Sequence, residues 1–214
     1  MEITALCTII ATLRIFPNRS QFFGYESVTL SCGEHKNSSD WTIKRNTYLK
    51  TTNECSKHWG SKNESHCFIQ DAYPSDSGLY WCESGAGACS EAVNITVTGG
   101  KVILESPVHH LQEGDAVTLH CTYRESSFSN LTAEFYKDNL LIGHSSTGVM
   151  TIPKISKSDE GSYKCNVSGT GESPYSWLSV RGGQPEPFHS PLLHDSLPVL
   201  RVSVSLAVVM VLLL

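Results

Sequence analysis

A seven-residue pattern occurs twice in this chain and leaves few folds open to it. It reads Asp76-Ser77-Gly78-Leu79-Tyr80-Trp81-Cys82, then Asp159-Glu160-Gly161-Ser162-Tyr163-Lys164-Cys165. The shared frame is Asp-x-Gly-x-Tyr-x-Cys. Tyrosine and cysteine stand two apart, so on a strand both point to the same face. Each copy follows an earlier cysteine, Cys32 or Cys121, at a distance that suits a bridge between two sheets. One copy could arise by chance; two copies, each with its upstream cysteine, point to a two-layer β-sandwich built twice.

In an immunoglobulin sandwich this stretch turns the corner into strand F. The tyrosine hydroxyl bonds back to the upstream backbone, and the cysteine faces the other sheet. The rest of the chain supplies the other strands. Ser27 to Cys32 and Ala116 to Cys121 alternate polar and apolar, as strand B should. Trp41 is expected on the first strand C, against the disulfide, with Phe135 in its place in the repeat. The fold class is therefore all-β: two tandem immunoglobulin-like β-sandwiches, then a stalk and a C-terminal hydrophobic segment. The expected domains are residues 12–98 and 102–181, joined at Gly99-Gly100. A joint this brief makes the two domains abut.

Residues 1–11 are short and apolar without a basic start, and are read as the remnant of a signal peptide. Residues 182–198 are rich in Pro, Gly, Ser and His, a stalk too poor in apolar surface to fold alone. Residues 199–214 are apolar apart from Arg201, Ser203 and Ser205. As a helix, the clean part spans only about 20 Å at 1.5 Å per residue, against about 30 Å for a bilayer core. Two readings stay open: a chain that stops inside its membrane helix, or a tail removed on lipid anchoring near Ser190. Either puts the protein on the outer face of the plasma membrane. Arg201 either snorkels to the interface or pairs with an acidic residue of a signalling partner.

Eight cysteines are many for an intracellular chain of this size. Asn-x-Ser/Thr sequons at Asn18, Asn37, Asn63, Asn94, Asn130 and Asn166 accompany them. Together they favour an oxidising, glycosylating secretory route. Cys32 with Cys82, and Cys121 with Cys165, are the expected core bridges. Closing loops of about 50 and 45 residues is worth roughly 4 kcal/mol each in the chain-entropy model. A Cys55–Cys67 bridge would staple the loop between strands C and E. His58 and His66 lie between these two, so a zinc site is the alternative, though its spacing matches no standard finger. Cys89 is left over, either free or bridging to another chain.

No basic block marks a nucleic-acid footprint, and the net charge of -5 says little about partners. The motifs of serine hydrolases, P-loop enzymes, zinc proteases and dinucleotide-binding enzymes are absent from the sequence. The chain is read as a non-enzyme with no cofactor, no metal and no small-molecule substrate. The pair His109-His110 is read as solvated, near the domain joint.

Several stretches carry a closer resemblance. These are Asn18-Arg19-Ser20-Gln21-Phe22-Phe23, Trp59-Gly60 and the run Asp71 to Cys82 in the first half. In the second they are Val102 to Pro107, Glu113-Gly114-Asp115, Phe135-Tyr136-Lys137-Asp138 and Gly171-Glu172-Ser173-Pro174 before Trp177. In this order they resemble the Fc receptors and Fc receptor-like proteins of fish, within the immunoglobulin superfamily. The resemblance implies a cell-surface immune receptor that binds immunoglobulin Fc or a related protein ligand. It implies contact through the second domain and the joint, and signalling only through a membrane adapter. The ligand-binding candidates it implies are Lys101, Tyr123, Arg124, Phe128, Gly171 and Tyr175. Mammalian members clamp an Fc proline between two tryptophans; aligned here, those positions hold Lys101 and Arg124, so the aromatic clamp is missing. The alternative reading is an adhesive or decoy protein that binds other cell-surface proteins without recognising Fc.

Overall fold

A computed structural model describes residues 8–33, 41–56, 59–63, 66–124 and 132–182. The stalk, the C-terminal hydrophobic segment with Ser190 and Arg201, the sequons Asn37 and Asn130, His58 and Phe128 lie outside the described residues. Among the described residues no helix is long and apolar enough to cross a membrane.

The first half is built from β1 (Thr8–Ala11), β2 (Leu13–Phe16), β3 (Gln21–Phe23), β4 (Val28–Cys32), β5 (Trp41–Thr47), β6 (Lys50–Glu54), β7 (Ser61–Asn63), β8 (His66–Ile69), β9 (Gly78–Ser84), β10 (Ala88–Ser90) and β11 (Val93–Thr98). One sheet runs β2-β4-β8-β7. The facing sheet runs β1-β10-β9-β11-β3, with β5 on β9 and β6 on β5. Residues 8–11, within the stretch read from sequence as a signal remnant, form β1, parallel to β10.

The second half repeats the plan with β12 (Val102–Glu105), β13 (Leu111–Gln112), β14 (Val117–Tyr123), β15 (Ala133–Lys137), β16 (Leu140–Ser145), β17 (Val149–Ile152), β18 (Gly161–Val167), β19 (Gly171–Glu172), β20 (Ser176–Leu178) and β21 (Val180–Arg181). One sheet is β12-β14-β17; the other is β16-β15-β18-β19, with β20 also on β18. Strand β13 pairs with β21. The chain is thus two tandem immunoglobulin-like sandwiches.

The repeated heptapeptide makes the corner in both. Tyr80 donates its hydroxyl hydrogen to the Asp76 carbonyl at 2.5 Å, and Tyr163 does the same to Asp159 at 2.6 Å. Both rings are buried, and burial pushes each phenol up to about 12. The aspartate side chains hold the turn that precedes the strand: Asp76 Oδ2 accepts from Tyr73 N–H, and Asp159 Oδ2 from Ser156 N–H. The glycine has a steric reason. A Cβ on Gly78 would come within 2.2 Å of the Asn46 carbonyl oxygen, and one on Gly161 within 2.8 Å of Asp138 Oδ2. Strand β9 leaves its turn against the backbone of β5, where only glycine leaves room, whereas at β18 the close atoms are the Asp138 carboxylate and the Lys137 side chain.

Cys32 is bonded to Cys82 with 5.8 Å between Cα atoms, and Cys121 to Cys165 with 6.0 Å. Each bridge joins the two sheets through an apolar core. Leu13, Leu30, Ile43 and Ile95 lie around the first; Leu104, Leu119, Phe135 and Leu178 lie around the second. Trp41, expected against the first bridge, is half-buried at the start of β5 and packs on the core cluster that holds Cys32 and Cys82. Register places Ile43 opposite Cys82, as it places Phe135 opposite Cys165.

A second tryptophan, Trp59, is buried in the same core. Its ring lies edge-on to Tyr80 with centroids 5.5 Å apart, and the Arg45 guanidinium stacks over it at 4.5 Å. Arg45 also pairs with Asp76 at 2.6 Å, so this cluster ties the inserted tryptophan to the corner. A third disulfide, Cys55–Cys67, holds the segment that brings Trp59 in. Gly60 follows with φ +61, and a Cβ there would press on Cys67 Sγ and the Phe68 carbonyl oxygen, each at 3.0 Å. Both sulfurs of the contemplated zinc site are therefore oxidised, and among the described residues no side-chain cluster is placed to hold a metal.

Candidate ligand-binding site

A polar network built on one edge of the first domain spans the joint, beside Val108 of the second, which packs on the first core. The sequence Arg19-Ser20-Gln21-Phe22-Phe23 leads into and forms β3, which packs beside β12. Gln21 is 1% exposed. Its Oε1 accepts from the Leu104 N–H at 2.8 Å, and its Nε2 donates to the Pro174 carbonyl at 2.9 Å. Ser20 and Ser176 share a hydrogen bond at 3.0 Å. Arg19 pairs with Glu26 at 2.9 Å and with Glu105 at 2.7 Å, and lies over the Phe22 ring. Hydrogen bonds are directional, so this set fixes an angle where a greasy contact would let the sandwiches slide.

Arg124 belongs to the same joint. Its Nη2 donates to the Gly24 carbonyl at 2.6 Å, and its guanidinium stands 5.1 Å over the Phe23 ring. Lys101 is exposed, and its carbonyl accepts from the Arg124 N–H at 2.9 Å. Tyr123 closes β14 opposite Val102 and packs, partly buried, on the second core. Gly171 is exposed and pairs with Val167 at the start of β19. Ser168 N–H donates to the Thr132 carbonyl, so this loop and the start of β15 share one end of the sandwich. Lys101, Tyr123, Arg124 and Gly171 are carried on strand ends around this pole.

Tyr175 stands half-exposed and lines a cleft on another side of the joint. Its hydroxyl donates to Asn139 Oδ1 at 2.5 Å, and Lys164 Nζ lies 5.2 Å from its ring. Lys164 also pairs with Glu172 and lies over Tyr136; the Glu172 hydrogen bond holds its ammonium above the usual lysine range. Tyr136 donates to Glu134, which pushes the phenol up and, with a further bond from Asn166, pulls the Glu134 carboxyl down. The candidates therefore divide between a pole beside the joint and an aromatic-cation face.

On another side of the joint the two sandwiches leave a cleft of about 520 Å³, lined by Leu79, Glu91 and Asn94 from the first domain and His110, Trp177 and Arg181 from the second. Glu91 is shared there: His110 Nε2 lies 2.8 Å from its Oε2, and Arg181 pairs with its Oε1. The other ring nitrogen of His110 shares a hydrogen bond with the Ser179 hydroxyl, 2.6 Å away. His109 beside it is held below the usual histidine range by burial, against the pull of Glu91. The sequence reads the pair as solvated near the joint; both residues are exposed and both line this cleft.

Sequence reasoning named Lys101 and Arg124 but missed Gln21, Glu105, Glu91 and Arg181. The polar run Asn18 to Gln21 was the available signal: hydrophilic residues on a strand that should bury its inward face. Of the sequons, Asn18, Asn63 and Asn94 are exposed, and the Asn166 amide donates to Glu134. Cys89, left over in the sequence, is disulfide-bonded, and among the described residues no cysteine is free.

The immunoglobulin domain family model matches residues 101–178. Human low affinity immunoglobulin gamma Fc region receptor II-b is 27% identical over 188 residues, 85% of this chain and 56% of that protein. Mouse Fc receptor-like protein 5 is 30% identical over 154 residues, 70% of this chain and 24% of that protein. The chain spans about half the length, or less, of the curated relatives it matches. Among solved structures, the second Ig-C2 domain of human Fc-receptor like A matches at 28% identity and a TM-score of 0.33, covering 38% of this chain and 98% of that one. Residues 101–178 thus match an immunoglobulin domain, and the chain is similar in sequence to Fc gamma receptors and Fc receptor-like proteins of mammals.

Proposed function

We propose that this chain is the ectodomain of a cell-surface immune receptor. Its ligand is immunoglobulin Fc or a related immune protein, bound at the pole of the second sandwich beside the joint. The observation that carries this reading is the similarity to the human gamma Fc receptor over 85% of the chain, across both sandwiches. Loops clustered at one end of a rigid sandwich are the usual place for such recognition. Lys101, Tyr123, Arg124 and Gly171 supply that surface, and signalling passes through a membrane partner. The test is a pull-down from serum with the immobilised protein, followed by titration of purified immunoglobulin. Saturable binding that falls on Lys101→Glu substitution supports the reading. No saturable binding to any immunoglobulin class refutes it.

A second reading, adhesion through self-association, is favoured by one observation. Strand β16 lies at a sheet edge with Leu140, Leu141 and Ile142 at 71%, 53% and 42% exposure. Exposed apolar edges invite pairing. Sedimentation that stays monomeric at high micromolar concentration would exclude it.

A further inference from the structure

We propose that the cleft beside the joint holds a saccharide, and that this saccharide is the chain's own N-linked glycan on Asn94. The attachment point is on the wall of the cleft itself. Asn94-Ile95-Thr96 is a sequon on β11. That strand alternates inward Val93, Ile95 and Val97 with outward residues, so Asn94 faces away from the core. Its direct cross-strand neighbour is Leu79, a large apolar side chain 44% exposed on the same outer face. From the other sandwich, Trp177 lines the same cleft with its side chain 64% exposed.

The lining chemistry matches a sugar. A pyranose has an apolar C–H face and a rim of hydroxyls. The apolar face lies flat on an aromatic ring, whose negative face attracts the C–H hydrogens. The hydroxyls need donors and acceptors at the edge. Trp177 and Leu79 offer the apolar surface, while Glu91, His110 and Arg181 offer the polar edge. The cleft of about 520 Å³ lies within the range of about 300–1,000 Å³ usual for small-ligand sites. A free sugar would bind such an open site weakly. A glycan tethered at its wall meets it at an effective concentration in the millimolar range, where weak contacts suffice. The glycan covers Trp177 and Leu79, which otherwise stand in water, and wedges the two sandwiches at their set angle. This inference does not depend on what the protein binds at its other pole.

The full chain, expressed in glycosylating animal cells, is treated under native conditions with an endoglycosidase. Release is followed site by site by glycopeptide mass spectrometry. Asn63, exposed on the edge strand β7, is the internal reference. Asn94 is expected to be occupied and to lose its glycan at least about tenfold more slowly than Asn63, or about 1.4 kcal/mol. Trp177→Ala removes an exposed side chain and should raise the Asn94 rate toward that of Asn63, leaving Asn63 unchanged. An unoccupied Asn94 overturns the proposal. So does release from Asn94 as fast as from Asn63, or a Trp177→Ala variant in which Asn94 stays protected.

Discussion

Gln21 is the residue whose replacement most directly tests the joint. It is 1% exposed, and it satisfies the Leu104 N–H and the Pro174 carbonyl of the other sandwich at once. Gln21→Met keeps the length and the apolar stem but strands both groups. A buried donor left unpaired costs about 1–3 kcal/mol, and the carbonyl adds a smaller amount, so the expected loss is about 2–4 kcal/mol. Gln21→Glu adds a sign. Its carboxylate still accepts from Leu104 but faces the Pro174 carbonyl with no proton to give. Burial and that carbonyl raise the folded-state pKa of the introduced carboxyl above its unfolded value of about 4.3. Its contribution is then present below the unfolded pKa and lost as pH rises through the folded one. Urea unfolding of the purified full chain, followed by tryptophan fluorescence, reads both variants. Gln21→Met should show the same deficit at pH 4 and pH 7, whereas Gln21→Glu should approach the parent at pH 4 and fall well below it at pH 7. A Gln21→Met deficit under about 0.5 kcal/mol, or a Gln21→Glu deficit independent of pH, would refute the idea that this side chain carries the joint.

The remaining expectations concern the cores and the cleft. Tyr80 and Tyr163 are each held near pKa 12 by burial, above the unfolded value of about 10. A raised pKa gives stability that is whole below pH 10 and drains between about pH 10 and 12. For the buried Tyr80 this amounts to at most about 2.7 kcal/mol; circular dichroism against pH should show an alkaline transition there that Tyr80→Phe flattens. Trp59→Ala empties the space between Arg45 and Tyr80 and should cost about 3–5 kcal/mol, seen as a shift of the urea midpoint. Opening Cys55–Cys67 with paired alanines releases a loop whose ends are 12 residues apart; the cost is about 3 kcal/mol, measured the same way. Glu91→Gln loosens Arg181 and His110 at the cleft rim; being half-exposed, these pairs should be worth no more than about 1 kcal/mol, and the effect should shrink with added salt.

The frame of this fold was legible because it rests on short-range chemistry. The Asp-x-Gly-x-Tyr-x-Cys pattern carries its own turn, its own hydrogen bond and its own inward cysteine, and all of these reappear in space. Trp41 was legible by counting from Cys32, and it packs on the first core. That Ile43 stands opposite Cys82 was not, since register is set by pairing with β9 and not by distance along the chain. Trp59 was visible only as part of a resemblance; nothing local says that a loop tryptophan will fill a core two strands away. Gln21 was harder still. Its partners lie 83 and 153 residues further on, and only packing brings them together.

The two cations beside the joint, Lys101 and Arg124, are placed differently. Arg124 is engaged by the Gly24 carbonyl and the Phe23 ring, both in the other sandwich. Lys101 presents an exposed side chain from the linker, with its carbonyl held by Arg124. A ligand that took hold of Arg124 would have to break a bond that helps set the angle between the sandwiches. A charge-assisted hydrogen bond of this kind is worth about 1.5–3 kcal/mol, or roughly one to two powers of ten in affinity. A ligand that gripped Arg124 would compete with the stability of the joint and would couple its affinity to the angle that Gln21 and Arg19 maintain.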